Sequence, residues 1–523
     1  MLAGELLQSH GVGTRPAIEF ATESETWSYD ALDALANRFA RYFLSQGLVK
    51  GDRVSLFVGN DPLMLGAYFG AFRAGLVANP INIRLTPTEL AYVINHAGSR
   101  CVLIGADLCR VFAGVLPLLE GRPHLVVLRG ERHAPFGAAH SQAIFDTDGG
   151  GLDPGAIVAS DGALLIYTSG TTGYPKGVVL THANVVAGVQ IVHRAFEIEP
   201  GERTLCVMPL FHTNALMFSH LPFLLGGGTV CLEPKFSASR FWSQCRECRV
   251  TSSSASPTIL VMLMAHEAEA PARGETGLRY LKVASAPTPI DLAERFEARF
   301  GEKLLIETYG LTETTALATM NPLREPRHFG SVGQVIPPQT LAILDDAGAL
   351  VALGEVGEIG LQGPTIMKEY FRDPENTKRA FAGPWFRTGD MAVLDREGFA
   401  TIVGRKKEMI LRGGENISPL EVENAAMLHP NVKEAVAVGL ADPLWGEVVG
   451  LCVVADEPVS GDEIVAFCRE HLSAFKLPQQ VIFIDELPRN AMGKVVRNQA
   501  RARFAPATTV AGERPQSPAK PVP

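Results

Sequence analysis

A chain of 523 residues is longer than one hydrophobic core accommodates, so two or more domains are expected. With 46% apolar and 20% charged residues it reads as soluble and globular, and 47 basic against 56 acidic residues leave a net charge of -9, which excludes a broad basic face for nucleic acid. No apolar run reaches the roughly 18 to 20 residues that a membrane span needs.

In chain order, the N-terminal stretch MLAGELLQSHGVGTRPAIEF lacks a charged segment followed by an apolar one, so no secretory signal and a cytoplasmic location are expected. ALDALANRFARYFLSQG (31–47) has helical apolar spacing, VSLFVG (54–59) reads as a strand, and LMLGAYFGAFRAG (63–75) as a second helix. CVLIG (101–105), HLVVLRG (124–130), TLCVMPL (204–210), GTVCLEP (228–234) and KLLIETYG (303–310) continue the strands. This alternation predicts an α/β fold with βαβ-type sheets. From about residue 340 the texture changes: LAILDDAGALVALGEVGEIGLQG (341–363) reads as short strands joined by turns, a small barrel-like subdomain. A boundary is expected near GRKKEMILRGGENI (404–417), followed by a small α+β domain. The predicted organisation is a large domain over 1–403, a small mobile domain over 404–503, and a disordered Pro- and Ala-rich tail over 504–523. There are eight cysteines; Cys245 and Cys248 have metal-like spacing, but no second pair completes a zinc site.

The stretch YTSGTTGYPKG (167–177) carries the chemistry. Its glycines allow close backbone approach, its hydroxyls add donors and its lysine adds charge, the parts of a phosphate cradle. A kinase-type P-loop needs Gly-x4-Gly-Lys-Ser/Thr and a helix at once. Here Gly173 is followed by Tyr174, Pro175 and Lys176, so that reading fails on spacing.

YTSGTTGYPKGV resembles the phosphate loop of the adenylate-forming superfamily, which includes the acyl-CoA synthetases. Four further motifs follow in the family's order: YGLTET (309–314), FRTGD (386–390), GRKKEMILRGGENISPLEVE (404–423) and PRNAMGK (488–494). The resemblance implies an AMP-forming acid–CoA ligase using ATP, Mg2+ and coenzyme A: a carboxylate and ATP give acyl-AMP and pyrophosphate, and a thiol then displaces AMP. Alternatives are an acyl-AMP ligase serving a carrier-protein thiol and an inactive adenylate-binding homologue. Expected partners are the acid, ATP and CoA, with a homodimer left open.

On the family's pattern, Thr168, Ser169, Gly170, Thr171, Thr172, Gly173 and Lys176 grip the phosphates, and Glu313 holds the metal. Thr312 contacts the α-phosphate, Tyr309 packs on adenine, Asp390 accepts the ribose hydroxyls and Arg405 assists at ribose or phosphate. Lys494 is the implied catalytic lysine, offsetting repulsion between carboxylate and α-phosphate. Lys407 matches the hinge about which the small domain rotates between half-reactions. Gly414 matches the residue that leaves room for the pantetheine arm, and Arg84, Trp445, Phe475 and Lys476 are the candidate CoA contacts. The acyl pocket is expected from His212, Thr213 and Asn214, from Ala284, Ser285 and Ala286, and from Gly310. His212 matches a gate for the carboxylate. Ala284 stands where the family usually has glycine. Thr213 and Asn214 suit a short polar or dicarboxylic acid, KFSASRFW (235–242) is similar to carnitine–CoA ligases, and Ala215 to Phe218 suit a fatty or aromatic acid. The acid stays open.

Overall fold

The computed structural model describes residues 1–8, 13–131, 134–153, 155–168, 175–315, 317–324, 327–489 and 495–504. The chain divides into two compact units, Met1–Ile402 and a second from Val403 onward. It passes from one to the other inside the strand Ala400–Arg405.

The first unit is built on two large sheets. In one, Arg53–Phe57, Val77–Pro80, Cys101–Gly105, His124–Leu128 and Gly162–Thr168 run parallel. Cys101–Gly105 is buried at every position, as a parallel strand covered on both faces must be. The helix Tyr29–Ser45 is capped by Ser28, whose hydroxyl accepts from the Ala31 amide at 3.1 Å. It packs on the helix Pro62–Arg73, which turns glycines toward it: a Cβ at Gly70 would lie 2.4 Å from the Phe39 Cβ. Those two glycines, Gly66 and Gly70, let the backbones approach.

The second sheet runs Arg203–Cys206, Ser252–Ala255, Tyr280–Val283 and Leu305–Tyr309 in parallel. Sequence periodicity carried the first of these strands to Leu210, but it ends at Cys206, before Met208 and Pro209. Phe241, Trp242, Phe296 and Phe300 fill one face with Leu281 and Val283. Tyr280 and Lys282 alternate to the other face, where a π-helical turn, Ala215–His220, lies against the sheet. A third, antiparallel sheet pairs Thr340–Leu344 with Gly357–Gln362 and that strand with Trp385–Leu394, a half-barrel where the turn-rich texture predicts a small barrel-like subdomain.

The second unit pairs Val432–Asp442 with Gly446–Ala455 over their whole length and adds Gln480–Phe483 in parallel. The helices Pro419–Met427 and Gly461–Cys468 cover one face. Phe504, assigned from composition to a disordered tail, is buried in this unit's other core with Val436, Val438 and Cys452. Its apolar ring finds a packed site that local composition does not reveal. All eight cysteines are free thiols.

Candidate active site

The phosphate loop joins two antiparallel strands, Gly162–Thr168 and Lys176–Thr181, in a register that sets Thr168 opposite Lys176. Ser169, Gly170, Thr171, Thr172 and Gly173 lie outside the described residues. A short strand, Glu369–Tyr370, adds to the outer edge of Lys176–Thr181, with Tyr370 opposite Val178. That pairing places the Lys176 ammonium 5.0 Å from the centre of the Tyr370 ring. The Tyr370 hydroxyl donates to Glu313 Oε1 at 2.9 Å. Burial, with the Glu313 carboxylate beside it, pushes the Tyr370 phenol far above its ordinary range, so it stays a donor. Glu313 and Thr312 occupy one turn of 3-10 helix, Thr312–Thr314, and the Glu313 carbonyl accepts the Met367 amide at 2.7 Å. A small cavity of about 110 Å³ opens at the root of the loop, lined by Tyr92, His96, Lys176, Tyr370 and Asp373.

Asp390 is delivered by a bulge. Gly360 pairs with Arg387 but Glu358 with Met391, so Thr388, Gly389 and Asp390 stand out of the ladder. Gly389 takes φ +77°, and its amide donates to Glu358 Oε1 at 3.0 Å. Glu358 Oε2 in turn accepts from Arg387 at 2.9 and 2.6 Å. The result is a carboxylate only 4% exposed, which accepts the Tyr309 hydroxyl at 2.7 Å. Tyr309 ends the strand Leu305–Tyr309, and Gly310, Thr312 and Glu313 follow at once. The nucleoside and phosphate candidates of the first unit therefore share one strand end and its neighbours.

His212, Thr213 and Asn214 lead straight into the π-helical turn, and the Leu216 amide donates to the His212 carbonyl at 3.1 Å. π-Helical turns are rare and often mark function. Thr213 is buried, and Asn214 Oδ1 is buried without a hydrogen-bond partner. Ala284, Ser285 and Ala286 leave the strand Tyr280–Val283; the left-handed backbone, φ +80°, falls at Ser285 rather than at Ala284. The added methyl of Ala284 therefore sits where a side chain is ordinary.

In the second unit, Gly413 and Gly414 turn between Ile410–Arg412 and Glu415–Ile417. The Arg412 guanidinium lies 5.2 Å from the centre of the Trp445 ring and donates to the Phe475 carbonyl. Trp445 and Phe475 are exposed, and a Cβ at Gly414 would meet nothing within 4 Å. Lys476 is bonded to Glu421 at 2.6 and 2.8 Å. Arg405 ends its strand and Lys407 lies exposed in the turn after it. Lys494 lies outside the described residues, but its loop is closed at the base by pairing of Arg489 with Val495. Arg84, exposed in the first unit, has its amide bonded to Asn82 Oδ1 at 2.9 Å.

Three residues escaped the motif reading. Tyr370 is in no quoted motif and is found only through strand pairing. Arg412 is hidden among the charges of its segment. Lys282 did leave a signal, a lone charge in the apolar run YLKV.

Residues 8–371 match the family model described as AMP-binding enzyme, and residues 421–494 match that of the AMP-binding enzyme C-terminal domain. This chain belongs to the AMP-binding enzyme family. Within it, this AMP-binding enzyme is of the acyl-CoA synthetase type of the adenylate-forming superfamily. It is 38% identical to a sulfoacetate–CoA ligase of Cupriavidus necator, over 90% of this chain and 91% of that one. It is 34% identical to a long-chain-fatty-acid–CoA ligase of Mycobacterium tuberculosis, over 91% and 93%. The ATP-bound crystal structure of MatB from Rhodopseudomonas palustris is similar at 30% identity and a TM-score of 0.86, covering 96% of this chain and 99% of that one. Among the described residues of the AMP-binding enzyme, no helix is long and apolar enough to cross a membrane.

Proposed function

We propose that this enzyme activates a carboxylic acid with ATP as an acyl-adenylate and passes the acyl group to coenzyme A. The observation that carries the nucleotide part is the buried Asp390 carboxylate held by Tyr309, beside the Lys176–Tyr370–Glu313 cluster. Ionised Asp is acceptor-only, which suits a vicinal diol such as ribose. Lys176 and the loop hydroxyls receive the β- and γ-phosphates, and Thr312 the α-phosphate. Pyrophosphate is then the leaving group.

Glu313 fits a divalent cation. Tyr370 orients its carboxylate, and among the described residues Glu313 belongs to no group of three or more His, Cys, Asp or Glu ligands, a donor set that leaves the remaining ligands to phosphate oxygens. When bound, Mg2+ would neutralise phosphate charge. Lys494 is assigned to the transition state of adenylation, and Lys407 to the hinge that changes the presentation of the second unit. Arg412, stacked on exposed Trp445 next to the open Gly414 turn, joins Phe475 as a site for the CoA arm. ATP and CoA as substrates are the reason to expect a cytoplasmic site of action.

The test is an acid panel scored for pyrophosphate release and for acyl-CoA formed from free CoA, with Asp390→Asn in parallel. The expected result is acid-dependent release of both products and an ATP KM that rises at least about tenfold in Asp390→Asn, more than the KM for the acid. Silence toward every acid, or pyrophosphate without acyl-CoA, overturns the reading.

A further inference from the structure

The strand Tyr280–Val283 is buried at all four positions between layers of helix, a setting that selects apolar side chains. Its third residue is a lysine, 1% exposed. Lys282 Nζ donates to the Phe218 carbonyl of the π-helical turn at 2.9 Å. The ammonium also lies 4.9 Å from the centre of the Phe223 ring, 5.6 Å from Phe196 and 5.9 Å from Tyr280. The carbonyl engages one of its three N–H donors, aromatic faces surround the ammonium, and no carboxylate forms an ion pair with it among the described residues.

The surrounding wall is polar too. Ser254 stands in register with Lys282 and bonds Ser219 of the π-helical turn at 3.1 Å. Thr204 Oγ1 is buried without a hydrogen-bond partner, and His220, 0% exposed, donates its Nδ1–H to the Ala215 carbonyl at 3.0 Å. Buried donors and acceptors left unpaired cost about 1–3 kcal/mol each, and an uncompensated buried charge costs more. The unmatched donors on this sheet face, the remaining Lys282 N–H groups and the Thr204 hydroxyl, are accounted for by a ligand that supplies acceptors.

Position says which ligand. The strand that carries Lys282 runs directly into Ala284, Ser285 and Ala286, and the turn that receives its hydrogen bond begins directly after His212, Thr213 and Asn214. Lys282 thus joins the two segments assigned to the acyl group. We propose that Lys282 is the specificity-determining residue of the acyl pocket, and that the acid it selects carries a second anionic group, a carboxylate or a sulfonate, at the end remote from the reacting carboxylate. An anionic terminus completes the ammonium's hydrogen bonding and neutralises it; a methyl terminus leaves both undone. The inference rests on the acid–CoA ligase reading.

The experiment measures kcat/KM for acid-dependent pyrophosphate release with acids matched in chain length. One ends in methyl, one in carboxylate and one in sulfonate, and each is assayed with the wild type, Lys282→Met and Lys282→Arg. The wild type is expected to prefer an anionic terminus by at least about tenfold, and Lys282→Met to lose that preference, with Lys282→Arg between them. The carboxylate and sulfonate arms tell which anion is favoured. An unchanged preference in Lys282→Met overturns the proposal, because it makes the lysine a purely structural cap of the Phe218 carbonyl. If Lys282→Met fails to melt cooperatively, the wild-type profile decides: indifference between matched acids overturns the proposal. A wild type inactive on every acid overturns instead the ligase reading beneath it.

Discussion

At the scale of single residues, burial sets the chemistry of Lys282. Desolvation holds its ammonium down to about 7 from an ordinary 10.5, and His220 on the facing turn is likewise pushed down to about 4 by burial. The unfolded chain keeps the Lys282 proton up to about 10.5, whereas the folded one releases it at about 7. Between those values unfolding takes up a proton, so Lys282 makes stability rise with pH, by about 1.4 kcal/mol per unit. Below about 7 both states are protonated and the burial cost persists in full. Cys206, Glu202, Tyr280 and His220 also face this position. Buried Glu307, raised to about 8, contributes a slope of opposite sign between about 4.5 and 8. Comparison with Lys282→Met cancels these shared terms to first order. Urea midpoints at pH 7 and 9 should show a wild-type gain that the variant lacks; equal slopes would refute the desolvated ammonium.

At the scale of elements, close approach and bulges do the positioning. The helices Tyr29–Ser45 and Pro62–Arg73 touch where Gly70 has no side chain; a Cβ there would also come 3.0 Å from the Ala40 amide nitrogen and 3.1 Å from the Ala36 carbonyl. Two of those three obstacles are backbone and do not rotate away. Gly70→Ala should therefore separate the helices and destabilise the first unit by about 2 kcal/mol. The readout is a lower urea midpoint with an unchanged slope. The same logic of register, one residue of Gly357–Gln362 facing three of Trp385–Leu394, turns a ladder into a presenter of Asp390. Glu358 holds that bulge through the Gly389 amide and the Arg387 guanidinium.

At the scale of the whole molecule, the two units have separate cores. The second unit carries the Lys494 loop, whose base is fixed by Arg489 and Val495 and by the Val496 amide donating to the Pro488 carbonyl at 2.8 Å. Arg497, just beyond, is bound to Glu423 and to Glu408, the latter at 2.8 Å in the turn that holds Lys407. On the proposed assignment, Lys494→Ala should lower the rate of acyl-adenylate formation by at least about 100-fold while thioester formation from supplied acyl-adenylate stays near wild type. Equal loss of both half-reactions would remove the assignment of Lys494 to adenylation alone.

Family and reaction type were determined by the sequence itself, because the motifs that carry them keep several chemistry-bearing residues within a few positions. The segments from Thr168 to Lys176, Tyr309 to Glu313 and Thr388 to Asp390 are short for that reason on the proposed assignment. The α/β class was equally legible, since apolar periodicity is a local property. Only the tertiary structure brought Tyr370 to Lys176 and Glu313, because an edge-strand pairing links positions nearly two hundred residues apart. It alone packed Phe504 into a core, gathered Arg412 with Trp445 and Phe475, and enclosed Lys282 in aromatic rings beneath a π-helical turn. Burial and register arise from contacts across the fold, and a lysine's surroundings are written in the strands and helices that close over it.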